Sequence, residues 1–112
     1  LATLGQVAVT DLPDRQAHGA AVVDVRSPAE WREGHIAGST LAPLGRLVAL
    51  IVDRPRDEPV VLVCESGSRS AIGASLLAAA GFRDVANLVG GMVAWREAQL
   101  PLELDSPVRS GA

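Results

Sequence analysis

The stretch Val60-Val61-Leu62-Val63-Cys64-Glu65-Ser66-Gly67-Ser68-Arg69-Ser70 decides both the fold and the chemistry. Its first four residues are aliphatic and mostly β-branched, follow Pro59, and read as a buried strand. The run Ala71 to Ala80, closed by Gly81, reads as a helix that begins near Ser68 to Ser70. A strand feeding a helix through a short loop is the unit of an α/β domain. The cysteine stands at that junction. Backbone N–H groups at a helix start are unpaired, and the helix dipole adds partial positive charge there. A thiolate is stabilised in such a place, below the usual thiol pKa of about 8.5. A drop of roughly two units would make the thiolate the majority species at pH 7, for about 2.7 kcal/mol.

Outward from this loop, Ala20 to Val25 reads as a second buried strand and Asp84 to Val89 as a shorter third. Val7-Ala8-Val9 reads as an edge strand, and Thr40 to Ala42 as a weakly patterned fifth. The expected architecture is α/β, a central, mainly parallel sheet of about four to five strands flanked by helices. Thr10 or Asp11 is placed to cap a helix over Asp11 to His18, with Gly19 as its stop. Ser27, Pro28 and Glu30 have capping-box spacing for a helix ending at Gly34. Further helices are expected over Leu44 to Asp53 and over Gly91 to Gln99, the latter stopped by Pro101. The run Leu47 to Val52 is apolar nearly all round and reads as a buried helix, not a partner surface. Residues 1–104 read as one domain, and the polar, aperiodic residues 105–112 as a disordered tail.

A chain of 112 residues is large enough for one apolar core. With 48% hydrophobic residues but only Trp31, Trp95 and Phe82 as aromatics, that core must be aliphatic. A net charge of −3 argues against a nucleic-acid or anionic-membrane surface. All ten basic residues are arginine, which removes every lysine-based mechanism. No apolar run approaches a membrane span, and no signal-peptide pattern opens the sequence. One cysteine excludes an internal disulfide. With His18 and His35 far apart, no metal centre is expected, and a reducing, cytoplasmic setting is.

The loop itself specifies chemistry. Gly67 permits positive φ, so the chain can curl until successive N–H groups face one centre. Arg69 closes the ring with a permanently charged fork suited to sulfonate, phosphate or carboxylate oxygens. Ser66, Ser68 and Ser70 supply donors, and Ser70 is also a candidate helix cap. The competing reading is a buried structural cysteine beside an ordinary strand-to-helix turn. Gly67, three serines and Arg69 at these offsets favour a nucleophile site.

Cys64-Glu65-Ser66-Gly67-Ser68-Arg69-Ser70 resembles the rhodanese active-site signature, Cys-x-x-Gly-x-Arg-Ser. Asp24-Val25-Arg26 with Pro28, Glu30 and Trp31 is similar to that family's Asp-Val-Arg…Pro-x-Glu-aromatic segment. So are Gly34-His35-Ile36-Ala37-Gly38-Ser39 with Pro43-Leu44, and Leu88-Val89-Gly90-Gly91-Met92 with Trp95, to its later motifs. The resemblance implies a rhodanese-like fold and a sulfurtransferase. Cys64 would take a sulfane sulfur as a persulfide and pass it to a thiophilic acceptor. The donor would be thiosulfate, a polysulfide or a low-molecular-weight persulfide, and a protein donor or acceptor fits as well. No cofactor is implied, and Glu65, Ser66, Gly67, Ser68, Arg69 and Ser70 would form the substrate cradle. A persulfide carrier and a non-catalytic binding module of the same fold are the alternatives. Phosphatases and arsenate reductases of related folds carry one more residue between Cys and Arg, and this chain has the shorter ring.

Two departures from the family pattern stand out. Glu65 sets an acid beside the nucleophile, which opposes thiolate formation and repels anionic donors if it faces the pocket. Gln99 replaces a glycine that usually ends the last helix. Among supporting residues, Arg26 and Glu30 are spaced for a bracing ion pair, and Asp24 for closing a turn onto backbone N–H groups. His35 is expected in packing and His18 at the surface. Gly90 and Gly91 would let their loop approach the pocket rim, and Trp31 and Trp95 would sit at core edges.

Overall fold

The computed structural model describes residues 3–104; the expected tail, 105–112, lies outside them. Five strands are present among these residues: β1 (Thr3–Val7), β2 (Ala21–Asp24), β3 (Thr40–Leu41), β4 (Val60–Val63) and β5 (Asp84–Leu88). They form one sheet in the order β1-β5-β4-β2-β3, and every pairing is parallel. The connecting helices are α1 (Leu12–Ala17), α2 (Pro28–Arg32), α3 (Leu47–Ile51), α4 (Ser68–Ala79) and α5 (Gly91–Glu97).

Central position explains the unbroken apolar run of β4, whose four residues are all buried. Leu62, Cys64, Val23 and Val85 pack with Leu47 and Ile51 of α3 and Ala74 and Leu77 of α4. On the other face Val22, Val61, Val63 and Leu88 pack with Leu12 of α1 and Met92 and Trp95 of α5. Each buried aliphatic side chain is worth roughly 1.5–3 kcal/mol, so an aliphatic core suffices where aromatics are scarce. Asp24 pairs with Val63 in register, so β2 and β4 end side by side and open their following loops at one edge. No helix among the described residues is long and apolar enough to cross a membrane.

Local signals act as read in α2: Ser27 Oγ accepts from the Glu30 N–H at 3.2 Å, and Glu30 Oε1 from the Ser27 N–H at 2.9 Å. Four expectations are corrected. The edge strand is Thr3–Val7 rather than Val7–Val9, because β5 ends at Leu88 and offers nothing for Val9 to pair with. Val9 instead opens a 3-10 turn, Val9–Asp11, which runs straight into α1, and neither Thr10 nor Asp11 makes a side-chain cap. The expected helix over Leu44 to Asp53 divides into a 3-10 turn, Leu44–Arg46, and the short α3. Finally, α3 buries only Leu47 and Ile51, while Val48, Leu50 and Val52 are 37%, 46% and 46% exposed. A helix lying on one sheet face has one inward row, whatever the polarity of its other sides.

Candidate active site

Cys64 leaves the end of β4 and is only 1% exposed. Gly67 then turns the chain at φ 109°, a left-handed conformation that suits glycine, and α4 starts at Ser68. The turn brings the Gly67 N–H to 3.0 Å from Cys64 Sγ and the Ser70 hydroxyl to 3.3 Å. Burial pushes the Cys64 thiol up, but the Ser70 hydroxyl and the backbone N–H groups of Ser70, Gly67 and Ser66 outweigh it. The net effect holds the thiol below its ordinary value. Ser70 is not the helix cap; Gly67 holds that position, and Ser70 Oγ lies 3.1 Å from Gly67 O. The side chains of Ser66 and Ser68 stand at the exposed rim.

Arg69 is paired with Glu30. Its Nη1 and Nη2 donate to Glu30 Oε1 and Oε2, both at 2.8 Å, in a bidentate pair that ties the start of α4 to α2. The Glu30 carboxyl is lowered to about 2, chiefly by Arg69 and also by Ser27. The expected Arg26–Glu30 ion pair is therefore not made. Arg26 is buried instead against Asp24, with Nε to Oδ1 at 3.0 Å and Nη2 to Oδ2 at 2.9 Å. Asp24 closes its turn as expected, accepting from the Arg26 N–H at 3.0 Å. Arg26 also donates to Gly34 O at 2.8 Å and reaches Glu65 Oε1 at 3.4 Å. A buried pair with all three guanidinium nitrogens engaged is a rigid brace beside the loop.

Glu65 is held on its second oxygen by Arg96 of α5. Its charge is thus opposed by two guanidinium groups rather than presented alone to the sulfur. The carbonyls of Cys64 and Glu65 accept from Met92 N–H at 2.9 Å and Val93 N–H at 3.0 Å. That approach needs Gly91. A Cβ there would overlap Cys64 O and fall 2.7 Å from Glu65 O. His35 is buried and stacked on Trp31 with ring centroids 3.5 Å apart, and His18 is on the surface. Trp95 is buried and Trp31 half-buried. A cavity of about 190 Å³, lined by Arg15, His18, Pro59 and Asp84, opens at the opposite end of the strands and takes no part here.

Sequence reasoning missed Arg96 and Asn87. Arg96 is one of several surface arginines, and nothing in its spacing distinguishes it. Asn87 does carry a signal: it is a polar residue on the β5 face that α4 covers, where Val85 points into the core. Its Oδ1 lies against Ser70 Oγ.

A family model described as the rhodanese-like domain matches residues 8–98. The thiosulfate sulfurtransferase GlpE of Pseudomonas fluorescens is 40% identical over 90 residues, covering 76% of this chain and 83% of that protein. The probable adenylyltransferase/sulfurtransferase MoeZ of Mycobacterium tuberculosis is 39% identical over 83 residues, 72% of this chain but 21% of that protein's length. Among solved structures, a rhodanese-related protein from Thermoplasma volcanium superposes with a TM-score of 0.81 at 29% identity, covering 90% of this chain and 99% of that one. The family match takes in β2 to β5, the Cys64 loop and the helices that brace it, and the chain belongs to the rhodanese family.

Proposed function

We propose that the chain is a sulfurtransferase that carries a sulfane sulfur on Cys64 as a persulfide. The observation that carries this reading is the ring of donors, Gly67 N–H at 3.0 Å and Ser70 Oγ at 3.3 Å, around a lone cysteine at a strand end. In the first half-reaction the Cys64 thiolate attacks the outer sulfur of thiosulfate. A new S–S bond forms, the old one breaks, and sulfite leaves with the bonding electron pair. In the second, a thiophilic acceptor such as cyanide or a thiolate takes the terminal sulfur, and the electron pair returns to Cys64 as thiolate. The same N–H groups face the anionic sulfur in both steps, which lowers both barriers without a cofactor.

Arg69 serves this chemistry as a strut rather than as a donor-binding fork, since Glu30 occupies two of its N–H edges. Asp24 and Arg26 brace the same loop from β2. Four residues between Cys64 and Arg69 make a ring sized for a sulfur atom rather than for a tetrahedral phosphate or arsenate. A thiol that must stay free suits a reducing compartment, and we place the chain in the cytoplasm. A protein persulfide is an equally fitting donor or acceptor. Steady-state kinetics with thiosulfate and cyanide test the proposal. Parallel double-reciprocal lines are expected for a persulfide intermediate, and lines that intersect would reject it. Comparing those rates with transfer from a protein persulfide separates a small-molecule enzyme from a carrier.

A further inference from the structure

Ser70 Oγ has one proton and three neighbours that can accept it: Cys64 Sγ at 3.3 Å, Gly67 O at 3.1 Å, and Asn87 Oδ1. Asn87 is in turn joined to Gln6 of β1, its direct partner in the sheet register, through Nδ2 to Oε1 at 3.3 Å. The four side chains thus make one hydrogen-bonded file from the sulfur to the sheet edge. In one of its two proton orders the file runs outward. Ser70 donates to Asn87, Asn87 donates to Gln6, and the remaining Ser70 lone pair accepts from the Cys64 thiol. That order fits S–H and opposes an anion, because the Ser70 proton points away from the sulfur.

A half-turn of each amide exchanges its donor and acceptor and leaves the heavy atoms in place. The file then runs inward: Gln6 Nε2 to Asn87 Oδ1, Asn87 Nδ2 to Ser70 Oγ, and the Ser70 proton to Cys64 Sγ. Gln6 is exposed, so its amide has room to turn. We infer that Asn87, oriented by Gln6, is a positioning residue that directs the Ser70 hydroxyl onto the anionic sulfur of Cys64. Asn87 is suited to this because a side-chain amide both donates and accepts. An aspartate of the same shape would only accept, and would hold the Ser70 proton away from the sulfur.

The inference rests on Cys64 being the reacting nucleophile, but its test needs no sulfur donor. The chain has a single cysteine, so the pH dependence of iodoacetamide alkylation reports Cys64 alone. The charged groups around the loop, Arg69 on Glu30 and Glu65 between Arg26 and Arg96, are untouched by the variants. Asn87→Leu is expected to raise the alkylation midpoint by about one pH unit, a tenfold slower reaction below it. Asn87→Asp should raise it further, and Gln6→Met by less, in the same direction. In a Ser70→Ala background Asn87→Leu should add nothing, because the effect passes through that hydroxyl. The inference is overturned if Asn87→Leu leaves the midpoint in place, or moves it as far without Ser70 as with it. If Asn87→Leu does not fold, Gln6→Met with and without Ser70→Ala decides the matter by the same criterion. Persulfide loading of the unaltered chain is measured separately, so failure of the file and failure of the sulfurtransferase reading give different results.

Discussion

Gly91→Ala probes how the Cys64 loop is held. Gly91 has φ 55°, and its missing side chain lets the first N–H groups of α5 reach Cys64 O at 2.9 Å and Glu65 O at 3.0 Å. An added Cβ would overlap Cys64 O and stand 2.7 Å from Glu65 O, both backbone atoms that cannot swing aside. A non-glycine residue in this conformation costs about 1 kcal/mol. Losing two backbone hydrogen bonds adds about 1 kcal/mol each, for about 3 kcal/mol in all. Gly19→Ala is the control: it shares the positive φ, at 96°, but has nothing within 4 Å of the new methyl. Both substitutions restrict the unfolded chain equally, so their difference isolates the close approach, about 2 kcal/mol. Thermal unfolding followed by circular dichroism should then separate them by about 8–16 °C in a domain of this size. Persulfide loading should fall only in Gly91→Ala. Equal melting temperatures and unchanged loading would refute the idea that α5 clamps the loop through a glycine contact.

Glu30→Gln removes the carboxylate from the Arg69 strut. The lowering from 4.5 to about 2 sets a ceiling of about 3 kcal/mol, and the exposure of both partners, 29% and 37%, reduces it to about 1–2 kcal/mol. The folded carboxyl is the stronger acid, so the stabilisation is complete above pH about 5 and is lost as pH falls towards 2. Urea midpoints of the two proteins should differ at pH 7 and draw together as pH falls towards 2; a gap as wide at pH 2.5 as at pH 7 would contradict the assignment. Gln99→Gly should stabilise the chain by about 0.5–1 kcal/mol, because Gln99 holds the left-handed φ of 59° that glycine adopts freely; an unchanged or lower melting temperature speaks against it. Glu65→Gln frees Arg26 and Arg96 from a shared carboxylate, and kcat/KM for the thiosulfate dianion should rise about five- to tenfold at low salt. That gain should shrink at high ionic strength and be absent with an uncharged donor.

What the sequence made legible is what short-range physics dictates. The β4 run, the capping box at Ser27 and Glu30, and the turn at Gly67 are each set by residues within a few positions of one another, and each is found as read. Gly90 and Gly91 were legible as residues that let their loop approach the pocket rim, but the partner that Gly91 approaches, the backbone of Cys64 and Glu65, is set by the fold. Pairings across the chain were not. Arg26 and Glu30 lie four apart and look like partners, yet Glu30 is taken by Arg69 and Arg26 by Asp24 once β2 and β4 run side by side. The edge strand was displaced because its extent depends on where β5 ends, 81 residues later in register. The outward side of α3 was misjudged because apolar character says nothing about which neighbour is present. Arg96 met Glu65 through a helix whose position only the folded sheet decides.

The central claim is that Cys64 itself carries the sulfur. Intact mass of the protein after incubation with thiosulfate, and again after cyanide, tests it most directly, with Cys64→Ser alongside. The account predicts a gain of one sulfur atom on the unaltered chain, its removal by cyanide, and no gain on Cys64→Ser. No gain on the unaltered chain from thiosulfate or a polysulfide, or an equal gain on Cys64→Ser, would contradict it.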